Sequence, residues 1–272
     1  MSLTGFNSKQ LLTELRENTM NNISIAAGVN PKWEVENIVG VTTDAPTASF
    51  QVLTEANSSG LDVTFPDNAG VTLSFASTDA NDNIAGTGAR TLLIEGLDIG
   101  YVKQFDVVAL NGQTPVNSNL VFTRINQLLV LTAGSNEINA GEIYCSDSAD
   151  TFVLGVPQTR MYQNIAIGFS YASTATLTLP SDITNCVIGN INLSTNLTSA
   201  GQSATIYIES KRPGGAWLRT AILPLVTNNA IATYAIQGTG VYLPKTDIRF
   251  RVLSTNTNKT VTAYLNLYLN RN

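Results

Sequence analysis

The sequence contains no histidine and very few charged residues. Among 272 residues there are 20 Asp and Glu and 15 Lys and Arg, so charged residues make up 13% of the chain and the formal net charge is −5. An ordinary globular domain carries roughly twice that share, about 25%. Without histidine, the commonest general base and a common metal ligand are missing. The composition therefore argues against an enzyme, although carboxylate or lysine chemistry stays open.

Cysteine, basic stretches and long apolar runs are also scarce. Cys145 and Cys186 are too few for a disulfide framework or a zinc site, so we expect buried free thiols, with a single bridge as the alternative. The absence of a basic stretch argues against nucleic-acid binding. No apolar run is long enough to cross a membrane, and the N-terminus lacks the features of a secretory signal. We therefore expect synthesis in a cytoplasm and no membrane partner.

The sequence pattern is typical of β-structure along most of the chain. Hydrophobic residues make up 43% of the chain, and alternating apolar segments are separated by turn signals every 8–12 residues or so. This predicts an all-β protein with two β-sandwich or jelly-roll-like domains in tandem and a short helical N-terminal arm. The predicted limits are 1–46 for the arm and its linker, 47–157 for the first domain and 158–272 for the second.

The predicted arm contains the one good helix candidate of the chain, residues 7–21, with Leu11, Leu12 and Leu15 spaced along one face. This face could fold back on its own domain or dock on a neighbouring subunit. Residues 22–46 are predicted to be a linker because glycines and prolines interrupt them. Trp33, within this linker, is the best candidate for an interface anchor.

A glycine-rich segment, DANDNIAGTGARTLLIEGLD at 79–98, raises the question of a phosphate-binding loop. Such a loop requires a Lys-Ser/Thr pair and a helix after its last glycine. Here Ala89 and Arg90 follow, and the next residues favour a strand. We therefore predict that Gly86 and Gly88 form a structural turn that leads into a strand, with Gly88→Val destabilising if φ is positive at that position, and that Asn111-Gly112 forms another turn.

No metal, cofactor or catalytic site is predicted. Asp79, Asn81 and Asp82 fail the register of an EF-hand, although a looser loop-bound cation stays open. Glycoside hydrolysis needs two converging carboxylates, and the sequence nominates no pair. The candidates considered were Glu95 with Asp98, and Asp106. Four further aromatic residues could stack on a sugar or pack against protein: Trp217, Tyr242, Tyr264 and Tyr268.

Three segments of the sequence resemble a recurrent module of structural proteins in tailed phages and large aquatic viruses. They are the segment 79–98 quoted above, LNGQTP at 110–115 and RINQLLVLTAGSNEINAGEI at 124–143. Gln158-Thr159 is similar to the join between its two β-domains, and RPGG at 212–215 and KTDI at 245–248 are similar to parts of the second. The resemblance covers residues 77–160 well and 205–255 loosely; residues 1–76 match nothing in it.

The resemblance implies a component of a virus particle, with no catalytic residue and no cofactor. It leaves three hypotheses. The first is a capsid-associated building block (shell, decoration or vertex protein) that contacts other virion proteins and forms a homo-oligomer, a trimer or pentamer by analogy. The second is a tail or fibre component that contacts a host surface glycan. The third is a depolymerase, which would require a converging carboxylate pair.

Overall fold

The computed structural model describes residues 33–55, 57–196, 202–226, 231–235, 241–256 and 259–271, and in these ranges the chain forms strands and turns without a helix. The all-β prediction is therefore confirmed for the described residues. The strands are β1 (Trp33–Thr42), β2 (Gln51–Val52), β3 (Val71–Ser77), β4 (Ala89–Leu97), β5 (Lys103–Ala109), β6 (Val116–Phe122), β7 (Arg124–Ala133), β8 (Ile143–Asp147), β9 (Phe152–Val153), β10 (Val156–Pro157), β11 (Gln163–Ile165), β12 (Thr176–Thr178), β13 (Ile183–Thr195), β14 (Ser203–Lys211), β15 (Leu218–Val226), β16 (Ile231–Ala235), β17 (Val241–Tyr242), β18 (Asp247–Ser254) and β19 (Val261–Arg271).

The first sandwich consists of two antiparallel sheets from the middle of the chain. One sheet has the order β11-β8-β3-β6 and the other the order β5-β4-β7. Their inner faces share one apolar core, in which Phe75 and Cys145 from the first sheet meet Leu92 and Leu128 from the second. Alternate residues of each strand point inwards, which is the pattern that the sequence shows.

The second sandwich contains strands from both ends of the described chain. Its sheets have the orders β1-β19-β13-β16, with β17 also paired to β13, and β12-β18-β14-β15, with β2 paired to β18. A second core fills the space between them, with Ile191 and Leu265 facing Ile206 and Phe250. The alternation predicted for the last strand is confirmed, because Val261, Ala263, Leu265, Leu267 and Leu269 are all buried.

The predicted division of the chain needs correction at both boundaries. Residues 33–42 are not a linker, because β1 pairs with β19 along its whole length, from Trp33–Asn270 to Thr42–Val261. β2 pairs with β18, and β11 pairs with β8 of the first sandwich. The first sandwich is therefore inserted between β2 and β12 of the second, and the two do not simply follow one another.

The strand β1 was missed because Gly40 was interpreted as a breaker. In the structure Gly40 lies where two elements approach closely: a Cβ added there would lie 2.5 Å from the Cβ of Ala175. Glycine is needed for this contact and does not end the strand. The alternating segments at 47–54 and 61–65 form little strand, since the first contains only Gln51–Val52 and the second a single bridge from Val63 to Met161.

The predicted N-terminal helix and its apolar residues Leu11, Leu12 and Leu15 lie outside the described residues. Trp33 opens β1, opposite Asn270. The assignment of these four residues to an interface stays a prediction.

Candidate functional site

The glycine-rich loop is organised around a buried carboxylate, Asp82, which is 0% exposed. Its Oδ1 accepts hydrogen bonds from the backbone N–H groups of Ala89 at 2.6 Å and Ala140 at 2.8 Å. Its Oδ2 accepts from Ser77 Oγ at 2.6 Å and from the N–H of Gly141 at 2.9 Å. We call these five residues the Asp82 hub. It joins the start of β4 to the segment that precedes β8.

The glycines around this hub permit close approach of the backbone, and φ is not positive at Gly88. Positive φ occurs at Gly112, as expected for the Asn111-Gly112 turn, but at neither Gly86 nor Gly88. A Cβ on Gly86 would lie 2.0 Å from the carbonyl oxygen of Asn81, and a Cβ on Gly88 would lie 2.1 Å from Asp82 Oδ1. The loop is therefore filled by protein atoms and the strand β4 follows it directly, so it does not form a phosphate-binding site.

A second buried charge, Arg124, joins the two sandwiches. Its guanidinium makes a bidentate ion pair with Asp247 of β18, with Nε to Oδ1 at 2.6 Å and Nη2 to Oδ2 at 2.9 Å. The side chains of Arg124 and Asp247 are 2% and 1% exposed. The rings of Phe65 and Tyr101 lie 5.6 and 5.5 Å from the guanidinium carbon. Both charged residues belong to the segments that carry the resemblance, RINQ and KTDI, which shows that these segments meet in the fold.

Two carboxylate residues, Glu36 and Glu95, lie close together around Lys103 in the structure. The sequence analysis did not pair these two residues. Lys103 Nζ lies 2.6 Å from Glu36 Oε1 and 2.9 Å from Glu95 Oε1. Burial raises the pKa of Glu36, and the ammonium of Lys103 opposes that rise. Both glutamates line a cavity of about 260 Å³. The Lys103 ammonium group thus forms ion pairs with both carboxylates, and with Glu34 at 3.5 Å, which balances their charge within the chain.

The other acidic candidates stabilise turns and edges. Asp98 Oδ1 accepts hydrogen bonds from the N–H groups of Gly100 and Val102, both at 2.8 Å. Asp106 Oδ2 accepts from the N–H groups of Asn119 at 2.7 Å and Leu120 at 3.1 Å, which joins β5 to β6. Burial opposes the ionisation of Asp106, but hydrogen bonds from the Asn119 side chain and from three backbone N–H groups together lower its pKa.

This lowered pKa gives Asp106 a pH-dependent contribution to stability. A carboxylate with a lowered pKa stabilises the fold above its unfolded pKa of about 3.9, and this contribution is lost as the pH falls through the folded pKa. We expect Asp106→Asn to lower the free energy of unfolding at pH 7 by about 1–2 kcal/mol. We also expect the free energy of unfolding to fall less between pH 5 and pH 2.5 in this variant than in the wild type. Urea denaturation at pH 7, 5 and 2.5 measures these free energies. If both proteins lose the same free energy of unfolding between pH 5 and pH 2.5, the role given to Asp106 is contradicted.

The aromatic candidates are held by contacts within the chain. Trp217 lies in a cavity of about 290 Å³, with the Arg249 guanidinium carbon 3.9 Å from its ring centroid. The Tyr242 hydroxyl is 3.2 Å from Thr220 Oγ1, and the Tyr264 hydroxyl donates to Asn37 Oδ1 at 3.0 Å. The ring of Tyr268 packs over Gly189, where an added Cβ would lie 2.4 Å from it. Trp217 therefore lines a cavity in the described part of the chain.

Neither cysteine forms a disulfide. Cys145 and Cys186 are both free and buried, and burial raises the pKa of the Cys186 thiol to about 12.

In the described ranges, no three or more His, Cys, Asp or Glu side chains lie close enough together to hold a metal ion. No helix in those ranges is long and apolar enough to cross a membrane.

A patch of exposed apolar side chains lies at one edge of the first sandwich, where β5 and β6 run side by side. We call it the apolar edge patch; its members are Ile99, Val102, Phe105, Val107, Leu120 and Val121, which are between 39% and 67% exposed. Gln104 donates to the carbonyl oxygen of Val121 at 2.6 Å across the two strands. A Cβ added to Gly70 would contact both Val121 and Ile99, so these side chains are neighbours. The sequence alternation predicted the strands but not the extent to which these apolar side chains would be exposed.

No protein-family model and no curated protein matches the chain. Among solved structures, it is similar to the VP2 subviral particle of infectious bursal disease virus, with 10% sequence identity and a TM-score of 0.25 over 88% of this chain and 72% of that one. It is also similar to the structure of the Gx strain of that virus, with 11% identity and a TM-score of 0.23 over 88% and 71% of the two chains. TM-scores this low do not establish a shared arrangement of strands.

Proposed function

We propose that this chain is a non-enzymatic structural protein of a virus particle. Within the particle, we propose a capsid-associated role as a shell, decoration or vertex component. In this proposal copies of the chain assemble through the faces of their β-sandwiches, with residues 1–32 as a candidate tether. The apolar edge patch carries the proposal. Soluble monomers rarely expose large contiguous apolar surfaces, and such surfaces commonly mark protein contacts.

The residues that carry the family resemblance support the same conclusion. Asp82, Gly86, Gly88 and Gly141 form or surround the Asp82 hub, and Arg124 pairs with a residue of the second sandwich. Each of them contributes to packing or to hydrogen bonding inside the chain. A module built in this way is suited to rigid, repeated assembly, because these residues fix the shape of the chain.

The low charge of the chain favours dense packing of many copies. Charged residues are 13% of the sequence, so broad faces can be buried with few ions to remove from water. The patch itself has the composition of the centre of a protein interface, where charged residues are depleted and aromatic and aliphatic residues predominate. We therefore assign the patch to a contact with a second copy of this chain.

Replacing Phe105 and Leu120 together with serine tests the patch. Both side chains point outwards, at 54% and 39% exposure, so the melting temperature should stay within about 2 °C of wild type. The dissociation constant for self-association should rise at least tenfold, or about 1.4 kcal/mol. Sedimentation velocity over a range of protein concentrations measures this change.

The matched control is Ile167→Ser, which replaces an apolar residue that is 60% exposed and lies outside the patch. It should leave self-association unchanged. Wild-type chains that stay monomeric at all concentrations, or a double variant that associates as tightly as wild type, would contradict the proposal.

A second candidate is a tail or fibre protein that binds a host glycan. The cavity beside Trp217 favours it, because an aromatic ring lies there with Lys211, Asp67 and Asn68, whose polar groups could bind sugar hydroxyls. Copy number separates the two roles. Densitometry of purified particles should give hundreds of copies for a shell protein and about a dozen for a tail protein, and cryo-electron microscopy of the particle would locate the chain directly.

A further inference from the structure

An acidic cavity lies beside the short strand β2, where the chain leaves the second sandwich for the first. Its volume is about 290 Å³. Three carboxylate residues line it, Asp44, Glu55 and Asp62, and no lysine or arginine does. Oxygen-bearing side chains such as Thr42 and Asn57 complete much of the wall. Arg249, outside this lining, interacts electrostatically with Asp62 and offsets part of the negative charge. A concave surface lined by acidic groups attracts cations.

Glu55 is the residue that distinguishes this cavity from an ordinary acidic surface. It is only 4% exposed. Its Oε2 accepts hydrogen bonds from the backbone N–H of Thr43 at 3.1 Å and from Thr43 Oγ1 at 3.0 Å. Its Oε1 is buried and has no hydrogen-bond partner in the described part of the chain. A buried carboxylate oxygen without a partner is costly and normally indicates a bound water or ion.

Asp62 is also held in a fixed position at this cavity. Its Oδ1 accepts hydrogen bonds from the N–H groups of Val52 at 2.8 Å and Val63 at 2.9 Å. These contacts anchor the carboxylate to β2 and to the segment that follows. The site thus has one buried acidic group with a free oxygen and a second acidic group fixed nearby, before any ligand is present.

We propose that this cavity binds a partly hydrated divalent cation, Ca²⁺ or Mg²⁺, with Glu55 Oε1 as the direct protein ligand. Hard cations prefer carboxylate, carbonyl and water oxygens, which are the groups that the cavity supplies. Because no three acidic side chains in the described ranges converge on one point, waters fill the remaining coordination positions. The volume allows this, since each water occupies about 30 Å³.

The bound ion would fix the connection between the two sandwiches. Asp44 follows β1, Glu55 follows β2, and Asp62 lies in the segment that leads to β3. Through its bound waters, a cation held by Glu55 would link the three segments. The ion is independent of the apolar edge patch, so this site and the proposed assembly function can fail separately.

Equilibrium dialysis of the full chain, first freed of metal with a chelator, tests the proposal with Ca²⁺ and Mg²⁺ as separate probes. The wild-type chain should bind about one ion at millimolar concentration. Glu55→Gln keeps the size of the side chain and should weaken binding at least tenfold. Asp62→Asn should weaken it by a smaller factor, about threefold. Asp67→Asn, an exposed acid outside this cavity, is the control and should bind like wild type.

Two outcomes overturn the proposal: no binding of either ion by wild type at 10 mM, or equal binding by wild type and Glu55→Gln. Circular dichroism checks that each variant is folded, and Asp62→Asn decides the question if Glu55→Gln does not fold. A melting experiment gives an independent readout. Saturating ion should raise the melting temperature of wild type by a few degrees and leave that of Glu55→Gln unchanged.

Discussion

Replacing Arg124 with methionine is expected to lower the free energy of unfolding by about 3–5 kcal/mol, because it leaves the buried carboxylate of Asp247 without its counter-ion. Arg124 has five N–H donors, and five acceptors surround it. Besides the two oxygens of Asp247, it donates to the carbonyl oxygens of Pro66 at 3.0 Å and Thr123 at 2.6 Å, and to Asn68 Oδ1 at 2.7 Å. All of these acceptors would lose a charged donor at once.

Urea denaturation followed by circular dichroism measures this loss. Arg160→Met is the matched control, because Arg160 is 46% exposed and lies 3.5 Å from Asp147; an exposed pair of this kind contributes at most about 1 kcal/mol. Arg124→Lys should recover only part of the stability, since lysine cannot make the bidentate contact. If Arg124→Met unfolds at the same urea concentration as Arg160→Met, the ion pair does not join the two sandwiches energetically.

The second large effect is expected from Asp82→Ala. Four donors bind the Asp82 carboxylate, three of them backbone N–H groups in the interior. Alanine leaves these donors without an acceptor, and each buried unsatisfied group costs about 1–3 kcal/mol. We expect the free energy of unfolding to fall by at least about 3 kcal/mol, with the first sandwich affected most.

Asp79→Ala is the control for this experiment, since the Asp79 carboxylate accepts its bond from the N–H of Asn81 at an exposed position. We expect a loss of about 1 kcal/mol or less. Hydrogen exchange of the amides of Ala89, Ala140 and Gly141 adds a local readout, because they should lose protection in Asp82→Ala. Unchanged protection of these amides would show that the carboxylate does not organise the loop.

The parts of the fold that were predictable from the sequence are those in which one strand carries its own signal. β19 alternates cleanly over five buried residues, and its position follows from that alone. β1 lacks this signal, because its inward positions are Glu36, Ile38, Gly40 and Thr42, of which only one is a large apolar residue. Glu36 is balanced by Lys103, and Gly40 fits a close contact; both reasons are tertiary.

The features that the sequence did not reveal all depend on residues far apart in the chain. Arg124 and Asp247 are separated by 123 positions, and neither segment indicates its partner. Likewise, the free oxygen of Glu55 is evident only when its surroundings are known. For the glycine-rich loop, the sequence did not reveal why glycine stands at position 88: φ is not positive there, and an added Cβ would collide with Asp82.

The pairing of β1 with β19 also determines the order in which the chain can fold. β1 is synthesised among the first described residues and β19 among the last, yet the two pair along their entire length. The inserted sandwich needs only residues up to 165 or so and can form while translation continues. The second core cannot form completely until residue 271 has left the ribosome. Until then β1 lacks its partner strand β19, and its backbone N–H and C=O groups stay unpaired. The folding rate of the second sandwich should therefore be limited by the pairing of β1 with β19 across the length of the chain.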